Sequence, residues 1–251
     1  MPTLLVTRPR SQAGELVALL DARGLGSVRV PTVEIDETGC AAALDEMLAS
    51  LDGVSWLVLT SANGARTVAR RLHALRRRIP NGTGVAAVGP ATADALRSAG
   101  IRVDHVPPMY LTVAIAGGLG DLRGRRVVLA RADAATEDLA DVLRVRGALV
   151  EEVVAYRTVE GPNAGRDPLR SALNGELDGV TFTSGSTVRG LMRMASMLDR
   201  ARARALPAFC IGPVTAATAR RAGFAVAAVA AEHTAAGLAG ATAEHFARVR
   251  R

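Results

Sequence analysis

No lysine occurs in the chain's 251 residues; every basic position is arginine. This excludes lysine Schiff-base chemistry and a phosphate loop built around a lysine. Cysteine is scarce as well. Cys40 and Cys210 stand alone, with no CxxC and no Cys/His cluster, so no metal site is expected. The four histidines are scattered and none sits in an HExxH pattern. Aromatic residues make up only 3% of the chain, so Val, Leu, Ile and Ala must fill the cores. No apolar run approaches the ~18–20 residues that cross a bilayer. The opening MPTLLVTRPR meets arginine too early to be a signal peptide. A cytoplasmic protein with no membrane partner is the expectation.

What is abundant is arginine, and with it a net charge of +7. Guanidinium forks suit carboxylates and phosphates, which points to a polyanionic partner. The densest run, RRLHALRRRI at 70–79, has no aromatic side chain for base stacking and reads as a solvated helix face, not a nucleic-acid site.

The chain is also a duplication. IGPVTAATA at 211–219 answers VGPATADAL at 88–96, and Gly89-Pro90 lies 123 residues before Gly212-Pro213. The same offset pairs Arg8 with Arg131, Leu16 with Leu139, Gly24 with Gly147, Thr60-Ser61 with Thr183-Ser184 and Gly100 with Gly223. One register held over about a hundred residues marks two related halves; the period is too long for a solenoid.

Each half alternates strand and helix. In the first, TLLVT (3–7), SVRVP (27–31), WLVLT (56–60), GVAAVG (84–89) and IRVDHV (101–106) read as strands, and 62–77 and 91–99 as helices. RVVLA, GVTFT, AFCIG and AVAAV repeat the strands in the second half. Alternation of this kind predicts parallel sheets covered by helices on both faces, hence two similar α/β domains.

VTRP (6–9), LTSANGA (59–65), AVGPATADALRSAG (87–100), VVAYRTV (153–159), FTSGSTV (182–188) and IGPVTAATARRAG (211–223), in this order, resemble the uroporphyrinogen-III synthase family. The resemblance implies a bilobal protein, with two parallel-sheet α/β domains joined by a two-stranded β linker. With the repeat register, one domain is expected from 1–33 plus 158–251 and the other from 36–153. The linker strands fall at 31–36 and 153–159.

The resemblance further implies a lyase that closes hydroxymethylbilane, a linear tetrapyrrole with eight carboxylates, in a cleft between the domains. The last ring is inverted and water is lost. No cofactor and no metal are implied, and a monomer is expected. The rival reading is a non-catalytic binding or regulatory protein for a similar polyanion; no DNA-binding domain is expected beside residue 251.

Candidate residues follow from that chemistry. The family's tyrosine falls on Tyr156, whose phenol would donate a proton to the departing hydroxyl; its bland role is to pack the linker. The Gly-Pro turns open helices whose free N–H groups favour anions, with Thr92 and Thr215 adding hydroxyls; the alternative is that these threonines only tidy the helix start. Thr60, Ser61, Thr183 and Ser184 either cap helices or reach carboxylates. Asn63 and Ser186 are weaker candidates. Arg8 and Arg131 share one repeat position after a strand and are expected as carboxylate clamps, with Arg157 a further option. A Ser-His-Asp triad has no support, since neither serine sits in GxSxG.

Overall fold

A computed structural model describes residues 1–109, 112–135 and 137–249. It divides into two compact units, Met1–Glu34 with Val159–Arg251, and Ile35–Thr158.

The first unit holds a five-stranded sheet in the order β10-β9-β8-β1-β2. Its strands are β1 (Thr3–Val6), β2 (Gly26–Arg29), β8 (Gly179–Phe182), β9 (Ala208–Cys210) and β10 (Val226–Val229). All adjacent pairs are parallel. Side chains alternate across a strand, and here both faces are apolar. Leu5, Val180 and Phe182 enter one core with α7 (Gly185–Met194) and α9 (Pro213–Arg221). Leu4, Val6 and Phe209 enter the other with α1 (Arg10–Asp21) and α10 (Ala235–Val249). Phe182 meets Phe224 edge to face at 5.0 Å.

The second sheet runs β3-β7-β6-β4-β5, with β3 (Val33–Asp36), β4 (Val54–Leu59), β5 (Gly84–Ala87), β6 (Arg126–Ala132) and β7 (Leu149–Glu160). Leu57 and Leu59 face a core closed by α2 (Ala41–Ala49), α3 (Ala62–Ala74) and α4 (Pro90–Arg97). Val58, Val127 and Leu129 face the opposite core with α5 (Asp138–Val145) and the 3-10 turn at Thr112–Gly118. Trp56 Nε1 donates to Leu119 O at 3.0 Å and pins the segment after that turn.

The strand orders expose the duplication. The 123-residue offset places β1 on β6 and β2 on β7, so each sheet takes this β-α-β piece from one half of the chain and its other main strands from the other half. In chain terms the first sheet is a 2-1-3-4-5 doubly wound order, whose ligands bind beyond the carboxyl ends of the strands.

Two expectations need correction. IRVDHV (101–106) is not a full strand: it makes one isolated bridge, Ala86 to His105, where the first unit has β10. The predicted helix 62–77 stops at Ala74. The halves also differ just after that helix. In the first unit α7 is succeeded by α8 (Met197–Ala205), packed on α6 (Arg166–Asn174); at the matching place the second unit has no helix between α3 and β5.

Candidate active site

In the second unit the carboxyl ends of β4, β5 and β6 carry Thr60-Ser61, Gly89-Pro90 and Arg131, in one parallel sheet. β7 adds Tyr156, paired in register with Ala132. The parallel topology therefore gathers residues that are up to 96 positions apart, Thr60 and Tyr156, at one end of one sheet.

Ser61 is the N-cap of α3, its backbone extended and its Oγ accepting Gly64 N–H at 3.0 Å. The same Oγ lies 3.0 Å from the Tyr156 phenol oxygen. Tyr156 is buried and Ser61 only partly, so the serine is the more exposed member of the pair. Gly64 makes room for it: a Cβ there would stand 3.2 Å from Ser61 Oγ and 3.7 Å from Tyr156 Cε1.

Ser184 repeats the capping in the first unit, at the end of β8. Its Oγ accepts Thr187 N–H at 3.2 Å, and Thr187 Oγ1 accepts Ser184 N–H at 3.4 Å, a reciprocal capping box. Ser186 Oγ is 2.7 Å from Ser184 Oγ. Both serines thus cap their helices. Thr60 and Thr183, one residue earlier, are half-buried at the strand ends.

The Gly-Pro turns open α4 and α9 without any side-chain cap, and each helix starts on proline. This arrangement leaves first-turn N–H groups for an anion, fewer in α4, where the Thr92 N–H donates to Gly89 O at 3.1 Å. Thr92 and Thr215 occupy the third helical position and are buried. The glycines are not there for a left-handed turn. Gly89 and Gly212 have φ of −171° and −173°, ordinary extended backbone. At Gly212 a Cβ would stand 3.1 Å from the exposed His233 ring, a tight contact that the ring would have to relieve by shifting.

Arg131 is engaged inside the protein. Its guanidinium reaches Glu137 at 2.5 Å, Glu152 at 2.7 Å and Ala135 O at 3.0 Å. The β6–β7 register sets Leu129 opposite Glu152, so the acid stands diagonal to Arg131 on the same face. Neither glutamate belongs to a motif; Glu137 is local, six residues on at the start of α5, while Glu152 meets Arg131 only through the pairing of two strands. Glu152 also bonds Arg144 at 2.6 Å, and this bond raises the Arg144 pKa. Arg8, the repeat partner of Arg131, lies 3.7 Å from Glu15. Arg157 is exposed beside Asp36, whose carboxyl is held below its usual range first by hydrogen bonds from Thr38 and then by the Arg157 charge.

Three buried threonines that the motifs did not single out brace the first unit below these turns. Thr7 Oγ1 donates to Thr181 O at 2.7 Å, Thr32 Oγ1 to Thr187 O at 2.8 Å, and Thr181 Oγ1 to Leu5 O at 3.2 Å. Among the described residues no three His, Cys, Asp or Glu side chains gather to hold a metal ion.

The family model described as "Uroporphyrinogen-III synthase HemD" matches residues 14–240 of this chain. A uroporphyrinogen-III synthase of Synechococcus elongatus is 31% identical over 225 residues, 86% of this chain and 84% of that protein. The porphyrin biosynthesis protein HemD of Ruminiclostridium josui is 31% identical over 224 residues, 87% of this chain but 44% of its own length. The crystal structure of a mutant uroporphyrinogen III synthase from Thermus thermophilus is similar in fold, with a TM-score of 0.66 at 21% identity, covering 99% of this chain and 100% of that one.

Proposed function

The chain belongs to the uroporphyrinogen-III synthase family, and from that premise we propose that it closes hydroxymethylbilane to uroporphyrinogen III, with inversion of the last ring and loss of water. The observation that carries this reading is a family match running through nearly the whole chain, including every candidate turn from Ser61 to Thr215.

The reaction asks little of a nucleophile, because the pyrrole itself expels the hydroxyl. What the protein must supply is a fixed geometry for a flexible polyanion, and a proton for the leaving group. The uncapped starts of α4 and α9 offer N–H groups to carboxylates, with Thr92 and Thr215 beside them. Thr60, Thr183 and Arg8 complete the binding set at the ends of the strands. The Tyr156–Ser61 pair supplies the proton: the phenol gives it up to the departing hydroxyl, which leaves as water, and the Ser61 hydroxyl steadies the oxygen left behind. Arg131 acts chiefly by holding β6 to β7 through Glu152.

On this reading the protein works as a monomer in the cytoplasm, without nucleic acid; two buried, unpaired cysteines fit a reducing compartment. The test is product analysis. Purified protein given hydroxymethylbilane should yield the type III isomer on chromatography, whereas unassisted closure yields type I. A product that is only type I overturns the proposal.

A further inference from the structure

The RRLHALRRRI run does more than coat a helix. It ends in a groove of about 660 Å³ on the second unit. The groove opens between the end of α3, the segment entering β5 and the end of α4. β5 begins here, so the groove lies at the amino end of the sheet, opposite the turns of the candidate active site. At the matching place in the first unit the chain forms α8 instead.

Its chemistry is one-sided. His73, Arg77, Arg78 and Arg102 stand on the rim, and no carboxylate lines it among the described residues. Arg102 is neutralised in part by Asp104 at 2.7 Å. Arg77 and Arg78 are exposed and form no ion pair among the described residues. The floor is apolar, made by Leu72, Val85 and Ile101. The volume falls within the range of small-molecule sites.

The backbone adds an independent mark. α1, α4, α5 and α9 each end in the same double bond, with glycine in the left-handed conformation: Gly24, Gly100, Gly147 and Gly223. α3 ends the same way, Arg76 N–H to His73 O at 3.1 Å and Arg77 N–H to Leu72 O at 2.9 Å. The left-handed residue is Arg76, φ 50°, the one non-glycine with positive φ among the described residues. A bulky residue there is strained. The strained turn is what carries Arg77 and Arg78 onto the rim.

We propose that this groove is a second ligand site, taking a small organic anion with two or more negative charges on an apolar body. The arginine forks hold the charges, and the floor holds the body. Three arginines lining one groove suit more than one anionic group, and the apolar floor distinguishes this ligand from a simple inorganic anion.

The test uses ¹⁵N-labelled full chain titrated with 8-hydroxypyrene-1,3,6-trisulfonate, a flat fluorescent trianion. Saturable shifts are expected at the amides of Gly82, Val85, Gly100 and Ile101. In an Arg77→Ser/Arg78→Ser double variant this binding should weaken about tenfold or more. The variant should close hydroxymethylbilane as the parent does, since both arginines lie at the other end of the sheet. Absence of shifts at those four amides overturns the proposal, as does equal affinity in a folded double variant. Inorganic pyrophosphate binding at the same amides as tightly as the trisulfonate would also overturn it, because the apolar floor would then contribute nothing.

Discussion

The phenol oxygen of Tyr156 and the Oγ of Ser61 lie 3.0 Å apart, and that serine also caps α3 through Gly64. The pair joins a strand and a helix start that are 95 residues apart in sequence. One side chain thus serves both the helix start and the phenol. Tyr156→Phe is expected to lower kcat about tenfold or more with KM little changed, because on the proposed mechanism the lost group acts on the leaving hydroxyl. Ser61→Ala should lower kcat in the same direction and cost about 1 kcal/mol of stability through the lost cap. The double variant should be no slower than Tyr156→Phe, as residues sharing one bond do not add. Steady-state kinetics with isomer separation, and urea unfolding, check these points.

Arg131 should behave as a structural residue more than a clamp. Arg131→Ala takes a partner from both Glu137 and Glu152 and is expected to destabilise the fold by about 2 kcal/mol. Arg131→Lys should restore part of this, since one charge returns without the planar fork. Urea midpoints at pH 7 measure both.

Acid should release two ion pairs of the second unit. A hydrogen bond from Arg71 lowers the Asp45 pKa, and one from Arg126 lowers that of Glu151. A depressed folded pKa gives stability that is present above the unfolded value, near about 4, and lost as pH falls through the folded value. Unfolding free energies measured from pH 6 to pH 2 should therefore fall below pH ~4. An Arg126→Ala variant should show a shallower fall, having already lost one of the pairs.

Both cysteines should be silent in the native state. Cys210 is fully buried, and its burial pushes the thiol up to about 11, so little thiolate exists at neutral pH. Cys40 is buried as well. Ellman's reagent at pH 8 is expected to react with neither until the chain unfolds, so the reaction rate will report opening. Fast labelling of Cys210 in the native protein would contradict this packing.

Arg76→Gly should raise stability by about 0.5–1 kcal/mol, because glycine takes the left-handed turn without a Cβ penalty. A rise in Tm with no change in closure rate is the expected outcome. The same variant leaves Arg77 and Arg78 in place.

Local chemistry and the repeat were legible from the residues themselves. Continuous apolar runs such as TLLVT and WLVLT marked strands buried on both faces, and the constant offset of Gly89 to Gly212 marked two equivalent halves. The family motifs put the candidate residues at the ends of the strands. IRVDHV misled because an apolar alternation says a segment can be a strand, while pairing needs a neighbour along its whole length; only His105 found one.

The partners of each side chain were decided in three dimensions. No spacing in the chain links Arg131 to Glu152, or Tyr156 to Ser61; the strand order β7-β6-β4 makes those meetings. Likewise the sequence supplied a basic run at 70–79, and only the fold set its end beside the entry to β5 and the end of α4, in one groove. Composition and periodicity set which faces are apolar and where turns fall, because those depend on near neighbours. Which polar groups meet depends on the register between distant strands, and that is settled only when the sheets assemble.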